Sequence, residues 1–332
     1  MLSLMPTRDP KVGKMQHRAA SEAFVFSELA NLCQFSKTEV QAIWDLWNRS
    51  YIEQDLALLH EFMIAWHCGI PTRIAAITQG RPTVSVSDRL SRVTQGCCNF
   101  LGHIGRKDDA FILQQMIGCI FPQTRCFDRF APQATALYVA LAFEHQTPYI
   151  KCYLNSRLTN EAHQMRVVQF FEHCGIPADL VMPIFNATHG DHIHWRGIGF
   201  DLHHGIARPK IYIQSNCPTL ISIAQSLDND FSTRDANHAQ NIFSEVLAPR
   251  SELALQPNQA GTLAKLTLQL AANAPRTAAI DAFKSIKNKY SFNAGEIYKL
   301  TQVLQPHASN SPYTRFGLGR THEGPYGNIY FI

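Results

Sequence analysis

No stretch of this 332-residue chain approaches 18 uninterrupted apolar residues, which argues against a membrane-spanning helix. The opening MLSLMPTRDPKVGKMQHR lacks the apolar centre of a secretion signal, so residues 1–20 read as an N-terminal tail and a cytoplasmic protein is expected. Nine cysteines, an odd number, show no paired short spacing, which argues against a disulfide framework or a structural zinc knuckle. Charged residues are scarce at 17%, and the net charge of +4 comes without clustered lysine and arginine. Nucleic acid is therefore not an expected partner.

What remains is a chain rich in core-forming residues, 45% apolar and 10% aromatic, enough for one large domain over 21–332. Its strongest internal signal is a repeat. Five short alternating segments align: Arg81-PTVSVS, Tyr149-IKCYLN, Arg208-PKIYIQ, Leu263-AKLTLQL and Tyr326-GNIYFI. Thr83, Lys151, Lys210, Lys265 and Asn328 share one repeat position, and Ser85, Tyr153, Tyr212, Thr267 and Tyr330 fall two residues later. A second alternating run precedes each segment: Arg73-IAAITQ, Ala136-LYVALAFE, Arg196-GIGFDLH, Ser251-ELALQP and Tyr313-TRFGLG. Period-two alternation bounded by Gly, Pro and Asn signals β-hairpins. Helical spacing fills roughly 21–68 and the stretches 90–120, 158–188, 216–246 and 276–305. The expectation is an α+β fold: ten antiparallel strands in five consecutive hairpins, closed into a barrel so that no edge is left open, with helices outside.

The two strand faces differ sharply. One carries Leu141, Phe143, Phe200, Leu202, Ile211, Leu253 and Leu255, suited to lie beneath helices. The other carries Glu144, Lys151, Tyr153, Gly199, Asp201, His203, Arg208, Lys210, Tyr212, Glu252 and Lys265. Such side chains cannot fill a dry interior; they line a cavity. Lysines and an arginine converging on one lumen repel each other unless an anion joins them. A diphosphate suits them, because lysine, arginine and tyrosine hydroxyls all donate to its oxygens. Tyrosine rings on the next rung can flank a cation, at about 0.5–2 kcal/mol each.

Lys151-Cys-Tyr153 and Arg208-Pro-Lys210-Ile-Tyr212, each on the second strand of a hairpin, resemble the Lys-x-Tyr and Arg-x-Lys-x-Tyr motifs of ABBA-fold aromatic prenyltransferases of the dimethylallyltryptophan synthase-like group. The resemblance covers roughly 70–332. It implies that Lys151, Arg208, Lys210, Lys265 and Arg73 hold the diphosphate of a dimethylallyl or geranyl donor, with Tyr153, Tyr212 and Tyr330 shielding the carbocation. An electron-rich aromatic acceptor, an indole derivative foremost, is then attacked. Glu144, Asp201, His203 and Glu252 are the candidates for acceptor binding and proton removal. Indole-specific members carry a first-strand glutamate, and the corresponding place at Pro71-Thr-Arg73 shows no carboxylate.

No cofactor is obligatory in this reading, and Mg²⁺ is an optional companion of the diphosphate. Asp108-Asp109 and Asp228-Asn-Asp230 lack the aspartate-rich pattern of all-helical isoprenoid enzymes and read as solvated charges. Gly317-Leu-Gly319 is too short for a nucleotide loop. His189, Asp191, His192 and His194 invite a metal reading, but no distant Cys or His has zinc-like spacing, so no metal site is assigned. A variant within the same class prenylates aromatic or histidine side chains in macrocyclic peptides, and the alternative of another class is a non-catalytic barrel that binds a hydrophobic anion. Monomer and homodimer both suit the sequence.

Overall fold

The computed structural model describes residues 22–52, 58–67, 70–80, 86–120, 137–154, 161–187, 193–227, 237, 251–257, 263–270, 315–321 and 324–331. The tail 1–20, Thr83, Ser85, His189, Asp191, His192, Asp228, Asp230 and the helical stretch 276–305 lie outside these residues.

The first hairpin is displaced from the position that the repeat suggests. Its strands are β1 (Leu58–His67) and β2 (Ile70–Gly80). The expected strand 81–87 is not formed at its end, since Val86 and Ser87 open helix α3 (Val86–His103). The reason lies in β1, LLHEFMIAWH, where both faces are apolar. Phe62, Ile64 and Trp66 join the helix-facing core, while Met63 and Ala65 join a separate cluster inside the sheet. An apolar run without alternation reads equally as strand or helix. The alternating VSVSD stretch, by contrast, brings Asp88 into the first turn of α3, where a carboxylate favours the helix N-terminus.

The other strands are β3 (Leu137–Glu144), β4 (Thr147–Leu154), β5 (His194–His203), β6 (Ile206–Ser215), β7 (Ser251–Pro257), β8 (Leu263–Leu270), β9 (Arg315–Thr321) and β10 (Gly324–Phe331). Each pairs antiparallel with its chain neighbours, and β1 pairs with β10 from Phe62↔Phe331 to His67↔Tyr326, which closes the circuit. Two-residue turns pin the register of two central hairpins. His145 and Gln146, and likewise His204 and Gly205, all have positive φ, the backbone that matches the twist of flanking strands.

Helices cover the outer face: α1 (22–32), α2 (Lys37–Ile52), α3, α4 (Lys107–Ile120), α5 (Glu161–His173), α6 (Ala178–Ala187) and α7 (Cys217–Leu227). Their buried residues form one cluster with Leu141, Phe143, Phe200, Leu202, Ile211, Leu253 and Leu255 of the strands. Trp47 of α2 is fully buried and donates its indole N–H to Thr78 of β2 at 3.2 Å. Asp109 corrects its reading as a solvated charge. It is buried, ion-paired with Arg106, and accepts the Gly205 N–H at 2.6 Å, fastening α4 to the β5–β6 turn. Among the described residues no helix is long and apolar enough to cross a membrane.

Candidate active site

Strand pairing sets the lumen out in rungs. Counted from the hairpin turns, Arg73, Tyr149, Arg208 and Tyr326 occupy the third pair, opposite Ala65, Ala142, Asp201 and Gly319. Lys151, Lys210 and Asn328 occupy the fifth, opposite Ala140, Gly199 and Gly317. Small partners on one strand leave room for the long side chains of the other. At Gly199 the fit is close: an added Cβ would lie 2.6 Å from the Cys152 carbonyl oxygen and 3.1 Å from the Tyr212 ring.

One cavity gathers Lys151, Tyr153, Lys210, Tyr212 and Tyr330, all expected, with Tyr326, Asn328, Thr267 and Gln256. Tyr153 and Tyr212 stand with ring centres 5.7 Å apart. Burial raises both phenols well above their ordinary value, so they stay neutral donors. Thr267 Oγ1 and Asn328 Oδ1 are buried without a hydrogen-bond partner. Orphaned polar atoms on a cavity wall suit a polar ligand.

The charges are unevenly matched. Lys210 pairs with Asp201, and Arg73 pairs with Glu144. Lys151 is 3% exposed and forms no ion pair or hydrogen bond with a described residue. Its ammonium lies 5.9 Å from the centre of the Tyr149 ring, which Arg73 approaches to 5.7 Å. Burial pushes the Lys151 ammonium down to about 7, with Asp201 opposing and Lys210 reinforcing the shift. Lys210 is lowered too, by burial first, while Asp201 supports its charge. Burial raises the Asp201 carboxyl, but Lys210, Lys151 and Arg73 outweigh it and hold it well below the usual carboxylate range. Glu144 is lowered in the same way, Arg73 overcoming the effect of burial.

The remaining expected residues are dispersed. Arg208 is exposed near the hairpin turns. His203 is half-buried with its ring 5.3 Å from Tyr149, and burial, then Arg208 and His204, lower its pKa. Glu252 pairs across strands with Gln214 and Gln269. Lys265 takes its strand position opposite Gln256.

Sequence reasoning missed Tyr149 and Tyr326, although both open their repeat segments and so share a rung. It also missed Glu61. The place compared with the family's first strand was in fact β2; the first strand is β1, and it carries Glu61, 4% exposed. Glu61 lies opposite Ile77 and on the same face as Met63 and Ala65, inside the sheet. A lone glutamate within an apolar strand was the available signal.

No protein-family model matches the sequence, and none of the curated proteins matches it. Solved structures do. 5-Dimethylallyl tryptophan synthase from Streptomyces coelicolor, in complex with DMASPP and Trp, aligns over 95% of this chain and 94% of that one, with a TM-score of 0.70 at 14% identity. The ternary complex of PriB with L-tryptophan and dimethylallyl thiolodiphosphate aligns over 95% of each chain, with a TM-score of 0.73 at 12% identity. AnaPT from Neosartorya fischeri aligns over 94% of this chain and 93% of that one, with a TM-score of 0.70 at 13% identity. At such identities the likeness is one of fold, and the fold is that of the ABBA prenyltransferases which the sequence resembles.

Proposed function

We propose that the protein transfers a dimethylallyl or geranyl group from its diphosphate to an electron-rich aromatic small molecule, an indole derivative foremost. The observation that carries this reading is Lys151, a buried ammonium with no ion-pair partner among the described residues, on the wall of a tyrosine-lined cavity. An uncompensated buried cation is costly, and an arriving anion relieves that cost. The solved structures of the same fold contain DMASPP with Trp, and dimethylallyl thiolodiphosphate with L-tryptophan.

In the proposed reaction Lys151 and Lys210 bind the diphosphate, with Arg73, Arg208 and Lys265 adding positive charge around it. The allylic C–O bond breaks, its electron pair leaves with the diphosphate, and the cations stabilise the charge that develops there. Tyr153, Tyr212 and Tyr330 enclose the allyl cation and keep water from it. The acceptor ring attacks, a C–C bond forms, and the ring proton passes to a base. Glu61 is assigned to orient the acceptor N–H, and it joins His203 as a candidate for that base. The ion pairs of Asp201 and Glu144 fit them better for balancing the cationic wall.

The test is a mass-spectrometric screen of dimethylallyl and geranyl diphosphate against indoles, phenols and cyclic peptides, with and without Mg²⁺. A prenylated indole accompanied by free diphosphate is expected. Binding of both donors with no product on any acceptor would overturn the catalytic reading in favour of an anion-binding barrel.

A further inference from the structure

Among the described residues, Asp201 is the one carboxylate in register with two of the cations assigned to the diphosphate. On β5 it faces Lys151 of β4 on one side and Arg208 of β6 on the other. Its own ion pair is with neither of these but with Lys210, two residues further along β6. Both members of that pair are buried, at 5% and 6% exposure, and Lys210 lines the cavity.

From this arrangement we infer that Asp201 is an internal stand-in anion. It holds the Lys210 ammonium while the cavity lacks a diphosphate and yields it when one binds, and this exchange limits how tightly the released diphosphate is kept after transfer. The inference rests on the proposed diphosphate site. Lys210 cannot give its best geometry to both anions, and two anions brought together in a buried site repel strongly. Binding therefore has to break or stretch the Lys210–Asp201 pair, and product release is assisted by its return. Lys151, with no ion-pair partner among the described residues, remains the fixed attachment point. The arrangement also keeps Lys210 compensated in the unliganded protein, so one lysine of the pair, not both, carries an unmatched charge. Asp201 acts here through Lys210, as a positioning residue that touches no reacting atom.

The experiment is calorimetric titration of the full-length protein with inorganic diphosphate, in the wild type and in Asp201→Asn, which keeps the side-chain shape and removes the charge. The expected result is diphosphate binding about tenfold tighter or more in Asp201→Asn, the scale of close buried charge pairs, with a matching fall in its inhibition constant as product. Equal or weaker binding in the variant overturns the inference and leaves Asp201 as an aid to lysine orientation. No diphosphate binding by the wild type would instead remove the proposed site itself, and the inference with it. A second measurement does not depend on the variant. In the wild type with inorganic diphosphate bound, the Lys210 ammonium should lie on a diphosphate oxygen and beyond ion-pair distance of Asp201. An intact Lys210–Asp201 pair beneath a bound diphosphate would overturn the inference.

Discussion

Lys151 shows how a single side chain can be read for both stability and binding. Its folded-state pKa of about 7 lies below the ordinary value of 10.5. Between those values the unfolded chain holds more protons than the folded one, so this residue's contribution to stability improves as pH rises from 7 toward 10.5. Diphosphate binding runs the opposite way, because it needs the charged form. Titration with inorganic diphosphate should therefore show affinity falling by up to tenfold per pH unit above about 7. In Lys151→Met that decline should weaken, leaving the ionisation of the ligand and of Lys210, whose pKa burial also lowers; an unchanged slope would mean that Lys151 does not contact the diphosphate. Glu61 gives a second prediction at this scale. If it orients the acceptor or takes its proton, Glu61→Gln should lower kcat by about 10²–10⁴-fold, the usual reach of general acid–base catalysis. The KM for the prenyl diphosphate should stay within a few-fold of wild type, since Glu61 is not among the residues lining the lysine–tyrosine cavity.

At the scale of strands and helices, the site depends on how closely β4, β5 and β6 approach. Gly199 sits where any side chain would press on the Cys152 carbonyl and on the Tyr212 ring. Gly199→Ala should cost about 1–3 kcal/mol, as overpacking of a tight interior does, and a thermal melt should show the lower Tm. Because the strain falls partly on Tyr212, binding of a donor analogue should weaken as well. An unchanged Tm would contradict the close packing described here. The central hairpins were legible in the sequence because alternation, turn residues and the Lys-x-Tyr repeat agree there. The first hairpin was not, since β1 buries apolar residues on both faces and so loses the period-two signature. That one displacement hid Glu61, and it also concealed that Arg73 shares the rung of Arg208. Asp109 escaped for a different reason: its partner Gly205 is 96 residues away, and local sequence does not reveal such a contact.

Over the whole molecule, two cores divide the work. The larger lies between helices and the outer strand faces and holds the fold; the smaller, of Met63, Ala65, Ala75, Ile77, Ala140, Ala142 and three tyrosines, lines the inside. An interior finished with alanines, glycines and tyrosine rings leaves space that an apolar chain can enter, and in the proposed reaction the lysines at the same level take its charged end. The structure of the protein with dimethylallyl thiolodiphosphate bound, an inert analogue of the donor, tests this most directly. Diphosphate oxygens should lie within hydrogen-bonding distance of the Lys151 and Lys210 ammonium groups, with the prenyl tail among Tyr153, Tyr212 and Tyr330. An analogue seated instead at the exposed hairpin turns around Arg208 and His204, with the lysine–tyrosine cavity empty, would contradict it.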